Sequence, residues 1–458
     1  LGNDGYPHIG YHAWSYAAMK YAYRDASGWH VETMDREGDV GQDTSLVLDE
    51  GGYPHVSYKY ADYHGTALEY ALKDASGWHT ETVDSAAYAG GDSSLALDGL
   101  GYAHISYYQG GDTALRYAFQ DTSGWHIEVV DNSGYVGTDS SLALDAAGFP
   151  HISYCDRDND DLKYAFKDAS GWHTEVVDSA GEVGWSTSMA LDGDDAHISY
   201  YDWGNGDLKY AYRVASGWHV EALDADAAED TSLALDSHSH PHISYYGSRV
   251  LKYAYQDESG WHVETVTHVG EPGWSTSLAL DRDGGPHISF NDRAGRDLKH
   301  AYRDASGWHV ETVDSEGDVG AHASLALDGD DAHISYHDRT NGDLKYAFRS
   351  GSGWPVGPAD GETDAGAESP PTTEGPVPRS RVPVDLGCIY VGDPIVLDGK
   401  LFGRYGIGTK LSSDGYYKTI ADSKICWNKG EDLPGHLPFP LPIHREGEAT
   451  PAETPLEG

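Results

Sequence analysis

Ser277-Leu-Ala-Leu-Asp281 begins one copy of a repeat that continues with Pro286-His-Ile-Ser-Phe290, Asp297-Leu-Lys-His-Ala301 and Gly307-Trp-His-Val-Glu-Thr-Val-Asp314. Each run is rich in β-branched, aromatic or apolar residues and is bounded by Gly, Asp, Asn or Ser, which is typical of short strands joined by turns. Similar copies recur about every 46 residues along most of the chain. Four antiparallel strands in a tandem repeat predict the blades of an all-β propeller.

The number of blades follows from the Gly-Trp pair that opens the fourth strand. This pair occurs eight times, as do the Lys-Tyr-Ala-like and His-Ile-Ser-like strands, whereas Ser-Leu-Ala-Leu-Asp occurs only seven times. Leu1 to His8 aligns with Leu48 to His55, so the first repeat lacks its opening strand. We therefore predict an eight-bladed ring of four-stranded blades. The eight tryptophans are Trp29, Trp78, Trp125, Trp172, Trp218, Trp261, Trp308 and Trp354.

The missing strand needs a substitute if the ring closes by lending a strand from one terminus to the other. Pro394-Ile-Val-Leu-Asp-Gly399 repeats the Leu-Asp-Gly ending of Ser324-Leu-Ala-Leu-Asp-Gly329. We predict that Pro394 to Asp398, or a segment near it, fills this position. The alternative is that Leu1 is only the point at which the sequence begins.

Composition divides the chain into four segments. Residues 1–355 form the predicted propeller, and residues 356–384 form a linker rich in Pro, Thr and Glu that is too polar to pack a core. Residues 385–430 contain strand-like runs and predict a small β-rich module. In residues 431–458 prolines alternate with large apolar residues, which predicts an extended tail that needs a groove on another surface.

The three cysteines have different predicted roles. Cys388 and Cys426 lie near the ends of the small module, which suggests a disulfide and an oxidising, extracellular compartment. Two reduced, buried thiols are the alternative. Cys155 occupies a position where other repeats carry Tyr, and we interpret it as a free packing residue.

The net charge of −45 restricts the partners. It disfavours nucleic acid and anionic membrane surfaces, and it favours cations and basic proteins. Between Arg379 and Gly430, eight basic and five acidic residues give +3, so the remainder of the chain carries −48 and should attract this region. No apolar run approaches the roughly 20 residues that cross a bilayer, which predicts a soluble protein without membrane insertion.

Two candidate sites lie in the loops that vary most between repeats. Exposed aromatic residues beside carboxylates suit a sugar ring, and Trp14, Tyr16, Tyr60 and Trp203 are the candidates. Asp156, Asp158 and Asp160 have the first half of a calcium-loop spacing, but the following Gly and the closing Glu are missing. A hairpin turn rich in Asn and Asp is the alternative for these three residues. No other cofactor is predicted.

Residues that recur in every repeat are interpreted as structural. We expect the His of the second strand to make a buried hydrogen bond, to a neighbouring Asp or Ser, that fixes each blade. In the Trp-His-Val-Glu strand, alternation places His and Glu on one face, which we assign to the solvated outer rim. The second-strand histidines are His55, His104, His151, His197, His242, His287 and His333.

The motifs Ser-Leu-Ala-Leu-Asp, Pro-His-Ile-Ser-Tyr, Leu-Lys-Tyr-Ala and Gly-Trp resemble those of the highly repetitive propellers in secreted and surface proteins of bacteria and archaea. The resemblance covers residues 1–355, over three-quarters of the chain, and it implies binding or assembly more than catalysis. It transfers no functional residue, and the sequence departs from sialidase propellers because the Ser-x-Asp-x-Gly-x-x-Trp box is missing. The last 100 residues resemble no family.

The preferred function is an extracellular structural or adhesive protein, not an enzyme, that forms a homo-oligomer or filament through its C-terminal segments. A carbohydrate-binding lectin that takes glycans is the first alternative, and a polysaccharide-active enzyme is the second. The sequence names no reaction. The predicted assembly residues are Ile395, Val396, Leu397, Leu437, Phe439, Leu441 and Ile443.

Overall fold

The computed structural model describes residues 1–359, apart from 14–16, 37, 63–64, 87, 226–229, 248–249, 269–271 and 350–352, and the backbone of five short strands after residue 387. The chain divides into two units, residues 1–61 with 65–363 and residues 62–64 with 364–458. The first unit is an all-β propeller of eight antiparallel blades, which confirms the predicted fold class. Among the described residues, no helix has the length and apolar character needed to cross a membrane.

Blade 1 has three strands, and blades 2 to 8 have four. The strands of blades 1 to 4 are β1 (His8–Ala13), β2 (Ala18–Asp25) and β3 (Gly28–Asp35); β4 (Asp39–Leu48), β5 (Pro54–Asp62), β6 (Gly65–Asp74) and β7 (Gly77–Asp84); β8 (Gly91–Leu97), β9 (Ala103–Gln109), β10 (Ala114–Asp121) and β11 (Gly124–Asp131); and β12 (Val136–Leu144), β13 (Pro150–Asp156), β14 (Asp161–Asp168) and β15 (Gly171–Asp178).

The strands of blades 5 to 8 follow the same order. They are β16 (Trp185–Asp192), β17 (Asp195–Asp202), β18 (Asp207–Val214) and β19 (Gly217–Asp224); β20 (Ser232–Leu235), β21 (Pro241–Gly247), β22 (Val250–Asp257) and β23 (Gly260–Thr267); β24 (Pro272–Leu280), β25 (Pro286–Asp292), β26 (Asp297–Asp304) and β27 (Gly307–Asp314); and β28 (Val319–Asp328), β29 (Asp331–Asp338), β30 (Asp343–Phe348) and β31 (Val356–Pro358). The outer strand of blade 8 therefore ends three residues beyond the predicted boundary at residue 355.

A buried hydrogen bond joins the second and third strands of each blade. In blade 2, His55 Nδ1 bonds to the Tyr70 hydroxyl, and burial lowers the pKa of His55. The expected buried hydrogen bond is therefore confirmed, but the partner is a tyrosine of the third strand, since the nearest carboxylate, on Asp49, lies 3.8 Å from Nε2. Blade 7 carries His300 in place of the tyrosine, and His287 Nδ1 lies 3.2 Å from its Nε2.

Every junction between blades contains a tryptophan packed edge-on against an aromatic ring of the preceding blade. The ring centroids are 5.0–5.2 Å apart at all eight junctions. At the junction of blades 8 and 1, Trp29 packs on Tyr346 in the same way, 5.0 Å apart. Among the described residues, the ring therefore closes at this junction through side-chain packing and no further strand joins blade 1.

The fourth strand is not oriented as the sequence predicted. Its Glu points toward the next blade, where Glu81 accepts a hydrogen bond from Trp125 Nε1 at 2.9 Å. Val263 and Val310 of the equivalent strands are exposed instead. The assignment of the His/Glu face to the solvated rim was therefore wrong for the Glu, which bonds to the next blade, whereas the His side chains of this strand are 37–48% exposed.

The structure does not bear out closure by Pro394–Asp398. Blade 1 remains three-stranded, and β33 (Pro394–Leu397) pairs with β34 (Lys400–Arg404) in an antiparallel hairpin. The physical reason is loop closure, because a partner two residues away costs far less chain entropy than one at the opposite end of the chain.

The described backbone of the second unit forms two small sheets. One contains β33 and β34, and the other has the order β32 (Cys388–Tyr390), β35 (Ser423–Cys426) and β36 (His444–Arg445). Cys388 and Cys426 lie directly opposite each other in the β32–β35 ladder. Cα atoms of such antiparallel pairs are about 4.5–5.5 Å apart, which suits a disulfide. The bond itself stays a prediction, whereas Cys155 is free and buried as expected.

Candidate functional site: the open strand slot

Blade 1 presents a cavity where the other blades have their first strand. The cavity has a volume of about 1180 Å³ and is lined by β1, by β4 of blade 2 and by β28 and β29 of blade 8. We call this cavity the strand slot. Its walls include Gly10, Thr44, Leu46, Ser324 and Ala326. It exceeds the roughly 300–1,000 Å³ of common small-molecule pockets.

Complete junctions show what the slot lacks. In blades 2 and 3, Ser45 Oγ accepts a hydrogen bond from the Leu95 N–H at 3.2 Å, so the first strands are linked across the blade boundary. Equivalent links join Leu142 to Ser94, Leu233 to Ser188, Leu278 to Ser232 and Leu325 to Ser277. The corresponding groups that face the slot are the Ser324 hydroxyl on blade 8 and the Leu46 N–H on blade 2.

A second series of links uses the serine of the second strand. Ser57 Oγ lies 3.0 Å from Ser93 Oγ in the first strand of the next blade, and Ser93 Oγ donates to the Asp43 carbonyl. The corresponding serine of blade 8 is Ser335, which lines the slot. A strand entering the slot would meet two hydroxyl groups on blade 8, those of Ser324 and Ser335, and the Leu46 N–H on blade 2.

Burial favours the neutral form of three histidines around the slot. Burial lowers the pKa of His8 and of His337, and it lowers the pKa of His333 in the same wall. Together with Leu46 and Ala326, they make walls suited to an apolar strand with a few hydroxyl groups. Such a site can take up an extended peptide by adding it to the edge of the blade 1 sheet.

A second surface contains clustered aromatic residues and crosses blades 3 to 5. Tyr108 and Tyr135 have centroids 5.2 Å apart, and the guanidinium of Arg157 lies 3.9 Å from the Trp185 ring centroid. Trp203 extends the cluster, with its centroid 5.9 Å from that of Trp185 and half of its surface exposed. We call these five residues the aromatic surface. Rings of this kind can stack on sugars.

The four predicted ligand-binding residues do not form one site. Trp203 belongs to the aromatic surface, whereas Tyr60 packs against the core at the junction of blades 1 and 2. Trp14 and Tyr16 lie outside the described residues. Sequence reasoning missed Arg157 and Trp185 because they are 28 residues apart and meet only when neighbouring blades pack.

The predicted calcium residues have separate contacts. Asp156 is buried and its two oxygens accept hydrogen bonds from the backbone and side-chain amides of Asn159 at 3.2 and 3.0 Å. Asp158 accepts from the Tyr135 N–H at 2.9 Å, and Asp160 has a left-handed backbone with a φ of 58°. These contacts favour the hairpin-turn interpretation, and the calcium site stays a prediction.

The predicted assembly residues fall in the second unit. Ile395, Val396 and Leu397 belong to the backbone strand β33, and the tail residues Leu437, Phe439, Leu441 and Ile443 lie outside the described residues. Their role in assembly therefore stays a prediction.

Comparisons with solved structures return similarities of low sequence identity, one of them to a β-propeller domain. A mutant lectin of Aleuria aurantia, in complex with α-methyl-L-fucoside, is 14% identical, covers 60% of this chain and 96% of that chain, and has a TM-score of 0.36. The β-propeller domain of the trilobed protease from Pyrococcus furiosus, described as having an open velcro topology, is 8% identical over 69% of this chain and 97% of that chain, with a TM-score of 0.42. An ulvan lyase is 11% identical over 78% and 92%, with a TM-score of 0.44.

These similarities do not identify a family or an activity, since all three TM-scores are below 0.5. No family model matches the chain, and no curated protein matches it. The strand order and the slot define the class of protein: an eight-bladed propeller whose first blade has an open strand position.

Proposed function

We propose that this protein is an extracellular structural or adhesive propeller that self-associates by accepting a β-strand in the strand slot. The single observation that carries the proposal is the cavity of about 1180 Å³ at the position that seven other blades fill with a strand of their own. Those seven strands serve as internal templates for the residues that we expect the slot to receive. Six of them have Ser-Leu-x-Leu-Asp, and blade 5 has Ser188-Met-Ala-Leu-Asp192.

The proposed donor is Pro394–Asp398 of a second copy of this chain. Ile395, Val396, Leu397 and Asp398 match the template at four successive positions, and Pro394 replaces the serine. The donor segment contains strand β33, which pairs with β34 along one edge. Among the described residues its other edge has no partner strand and is therefore available to a further strand. The +3 charge around the donor and the −48 charge of the remainder favour the approach.

Peptide binding and self-association test the proposal together. The full-length chain should bind a labelled peptide with the sequence of Ser324–Gly329, measured by fluorescence anisotropy, and a peptide with both leucines changed to Asp is the control. The substitution Ala326→Phe fills the slot wall and should abolish binding. In sedimentation experiments, Ile395→Asp with Leu397→Asp should weaken self-association, and so should Phe439→Asp with Leu441→Asp in the tail.

Two outcomes would contradict the proposal. A chain that stays monomeric at high concentration and binds no template peptide would show that the slot is not an acceptor. Binding of the peptide without self-association would retain the acceptor but remove Pro394–Asp398 as its donor.

The extracellular location is part of the proposal, and the cross-strand register of Cys388 and Cys426 supports it. A disulfide enclosing the 37 residues between them is expected to contribute on the order of 3–4 kcal/mol to the small module. Mass spectrometry of unreduced peptides should find the two cysteines linked. Free thiols at both positions would withdraw this support.

Glycan binding is a second candidate function, and the aromatic surface is the observation that favours it. Trp203 is exposed, and Arg157 lies against Trp185 where it can bond to a sugar hydroxyl while the rings stack. Titration with oligosaccharides should quench tryptophan fluorescence, and Trp203→Ala should lower the affinity at least tenfold. Retained affinity in this variant would place any glycan elsewhere.

A further inference from the structure

The turn between β20 and β21 of blade 6 differs from the other first turns in its side chains. It reads Asp236-Ser-His-Ser-His-Pro-His242, whereas blade 4 has Asp145-Ala-Ala-Gly-Phe-Pro-His151. His238 and His240 therefore occupy positions that hold Ala147 and Phe149 in blade 4. Imidazole groups at alternate positions behind a carboxylate are a metal-ligand pattern that sequence reasoning overlooked.

The backbone hydrogen bonds of this turn are the same as in blade 4, where the Asp145 N–H donates to the Phe149 carbonyl as the Asp236 N–H does to that of His240. Asp236 Oδ1 accepts hydrogen bonds from the His238 and His240 N–H groups, both at 2.8 Å, as Asp145 does from the equivalent amides. Ser239 has a φ of 63°, close to the 84° of Gly148. The turn thus fixes one carboxylate oxygen by backbone bonds and leaves Oδ2 directed at the histidines.

The distances around Oδ2 suit a small divalent ion. Asp236 Oδ2 lies 3.2 Å from His240 Nδ1 and 3.9 Å from His238 Nδ1, and the three ligand atoms lie within 4.8 Å of one another. Ligand atoms of a tetrahedral site with metal distances of about 2.0–2.2 Å are about 3.3–3.6 Å apart. His238 is exposed at a turn, so a small rotation of its ring completes the approach.

A fourth group faces the same oxygen. His242 Nε2 is buried, has no hydrogen-bond partner among the described residues and lies 3.8 Å from Asp236 Oδ2. The same arrangement occurs in blade 2, where His55 Nε2 lies 3.8 Å from Asp49, so this nitrogen alone does not distinguish blade 6. His238 and His240 are the additional groups.

We propose that Asp236, His238 and His240 bind one divalent cation of the zinc class, with water in the remaining position. Two imidazole nitrogens and one carboxylate oxygen suit Zn²⁺, Ni²⁺ or Cu²⁺, whereas Ca²⁺ prefers a larger set of oxygen ligands. The acidic propeller raises the local concentration of cations. The inference is independent of the strand slot, which lies in blades 1, 2 and 8.

The experiment uses the full-length chain without an affinity tag, after removal of metal by a chelator. Isothermal titration with Zn²⁺ should show one site per chain that weakens below about pH 6, because protons compete for the imidazoles. The Co²⁺ form should show the strong visible absorption of a tetrahedral centre. The variants His238→Ala and His240→Phe take residues that blade 4 carries in the same turn, so they are expected to fold.

Each variant should lower the Zn²⁺ affinity at least tenfold, and the matched control His262→Ala should leave it unchanged. His262 is a suitable control because it lies in the same blade but outside the Asp236 turn, with Nε2 3.0 Å from Asp257 and 2.9 Å from the Ser259 hydroxyl. Unchanged stoichiometry and affinity in the double variant His238→Ala with His240→Phe would overturn the proposal, as would no binding by the native chain at about 100 μM Zn²⁺.

Discussion

The junction between blades 8 and 1 shares its outer aromatic contact with the junction between blades 2 and 3. It differs in having Gly357 at the position of Glu81, the acceptor of Trp125, and in having no first strand in blade 1 among the described residues. Both have a tryptophan packed edge-on against a tyrosine, Trp29 on Tyr346 and Trp125 on Tyr70, with centroids 5.0 Å apart. At the first-strand end of the blades, however, the first strands of blades 2 and 3 are linked through Ser45, whereas blade 1 has the strand slot.

The comparison separates closure of the ring from filling of the space between two blades. The outer aromatic contact suffices to close the ring, because it is present at all eight junctions and the inner strand is present in seven blades. The inner strand instead decides whether the junction is filled or open to a partner. A blade can therefore lose its first strand and remain part of the ring, and the slot that remains is the proposed acceptor site.

The largest expected effect tests whether the outer contact closes the ring. Trp29→Ala removes the main aromatic contact of the open junction and should lower the free energy of unfolding by about 3–5 kcal/mol. Because no first strand of blade 1 joins blades 8 and 1 in the described part of the chain, the ring should also open and its radius of gyration should rise. Chemical denaturation and small-angle X-ray scattering measure the two effects.

Trp125→Ala is the matched control for this prediction. It removes the same ring contact and, in addition, the hydrogen bond to Glu81 at a complete junction, so it should destabilise at least as much. The radius of gyration should nevertheless stay unchanged because the first strands remain linked through Ser45. If Trp29→Ala left the ring closed, the comparison between the two junctions would lose its basis.

The next effect concerns blade 7, where His300 replaces the tyrosine that other junctions use. His300 is fully buried, and burial lowers its pKa to about 3. An unfolded histidine takes up a proton near pH 6.5, so stability should fall as the pH drops from about 6.5 towards 3, by about 2 kcal/mol at pH 5. His300→Tyr should remove this part of the pH dependence.

Denaturation at pH 7.5 and pH 5 checks the prediction, with His262→Ala as a control at an exposed position. The other buried histidines also have lowered pKa values, so the variant should reduce the acid sensitivity without abolishing it. An unchanged difference between the two pH values would show that His300 can be protonated in the folded protein.

The sequence predicted the eight blades because each strand motif is local and recurs. It could not predict contacts between blades, since Glu81 and Trp125 are 44 residues apart and their contact depends on how two sheets pack. The orientation of the fourth strand and the aromatic surface were missed for this reason. The turn at Asp236 was a different case, because its alternating histidines are local and were overlooked among many histidines interpreted as structural.

A smaller effect concerns the hydrogen bond between a second-strand Tyr hydroxyl and a fourth-strand Asp of the preceding blade, which is present at most junctions. Tyr336 donates to Asp314 Oδ2 at 2.7 Å, but at the junction of blades 6 and 7 both members are changed, to Phe290 and Thr267. Phe290→Tyr alone should bury a hydroxyl without its acceptor and destabilise by about 1–3 kcal/mol. Adding Thr267→Asp should restore most of that loss, measured in a double-mutant cycle. No recovery would show that this junction differs in more than one pair.

The smallest effect compares two serines on either side of the last junction. Ser277 Oγ accepts a hydrogen bond from the Leu325 N–H at 3.1 Å, so Ser277→Ala should cost about 1 kcal/mol. Ser324 is the next serine in the series and is exposed in the slot, so Ser324→Ala should leave the free energy of unfolding of the monomer unchanged. The same substitution should weaken binding of the template peptide several-fold, because the incoming N–H would lose its acceptor. Equal destabilisation by both substitutions would mean that Ser324 already has a structural partner. The slot would then not be an acceptor for a further strand.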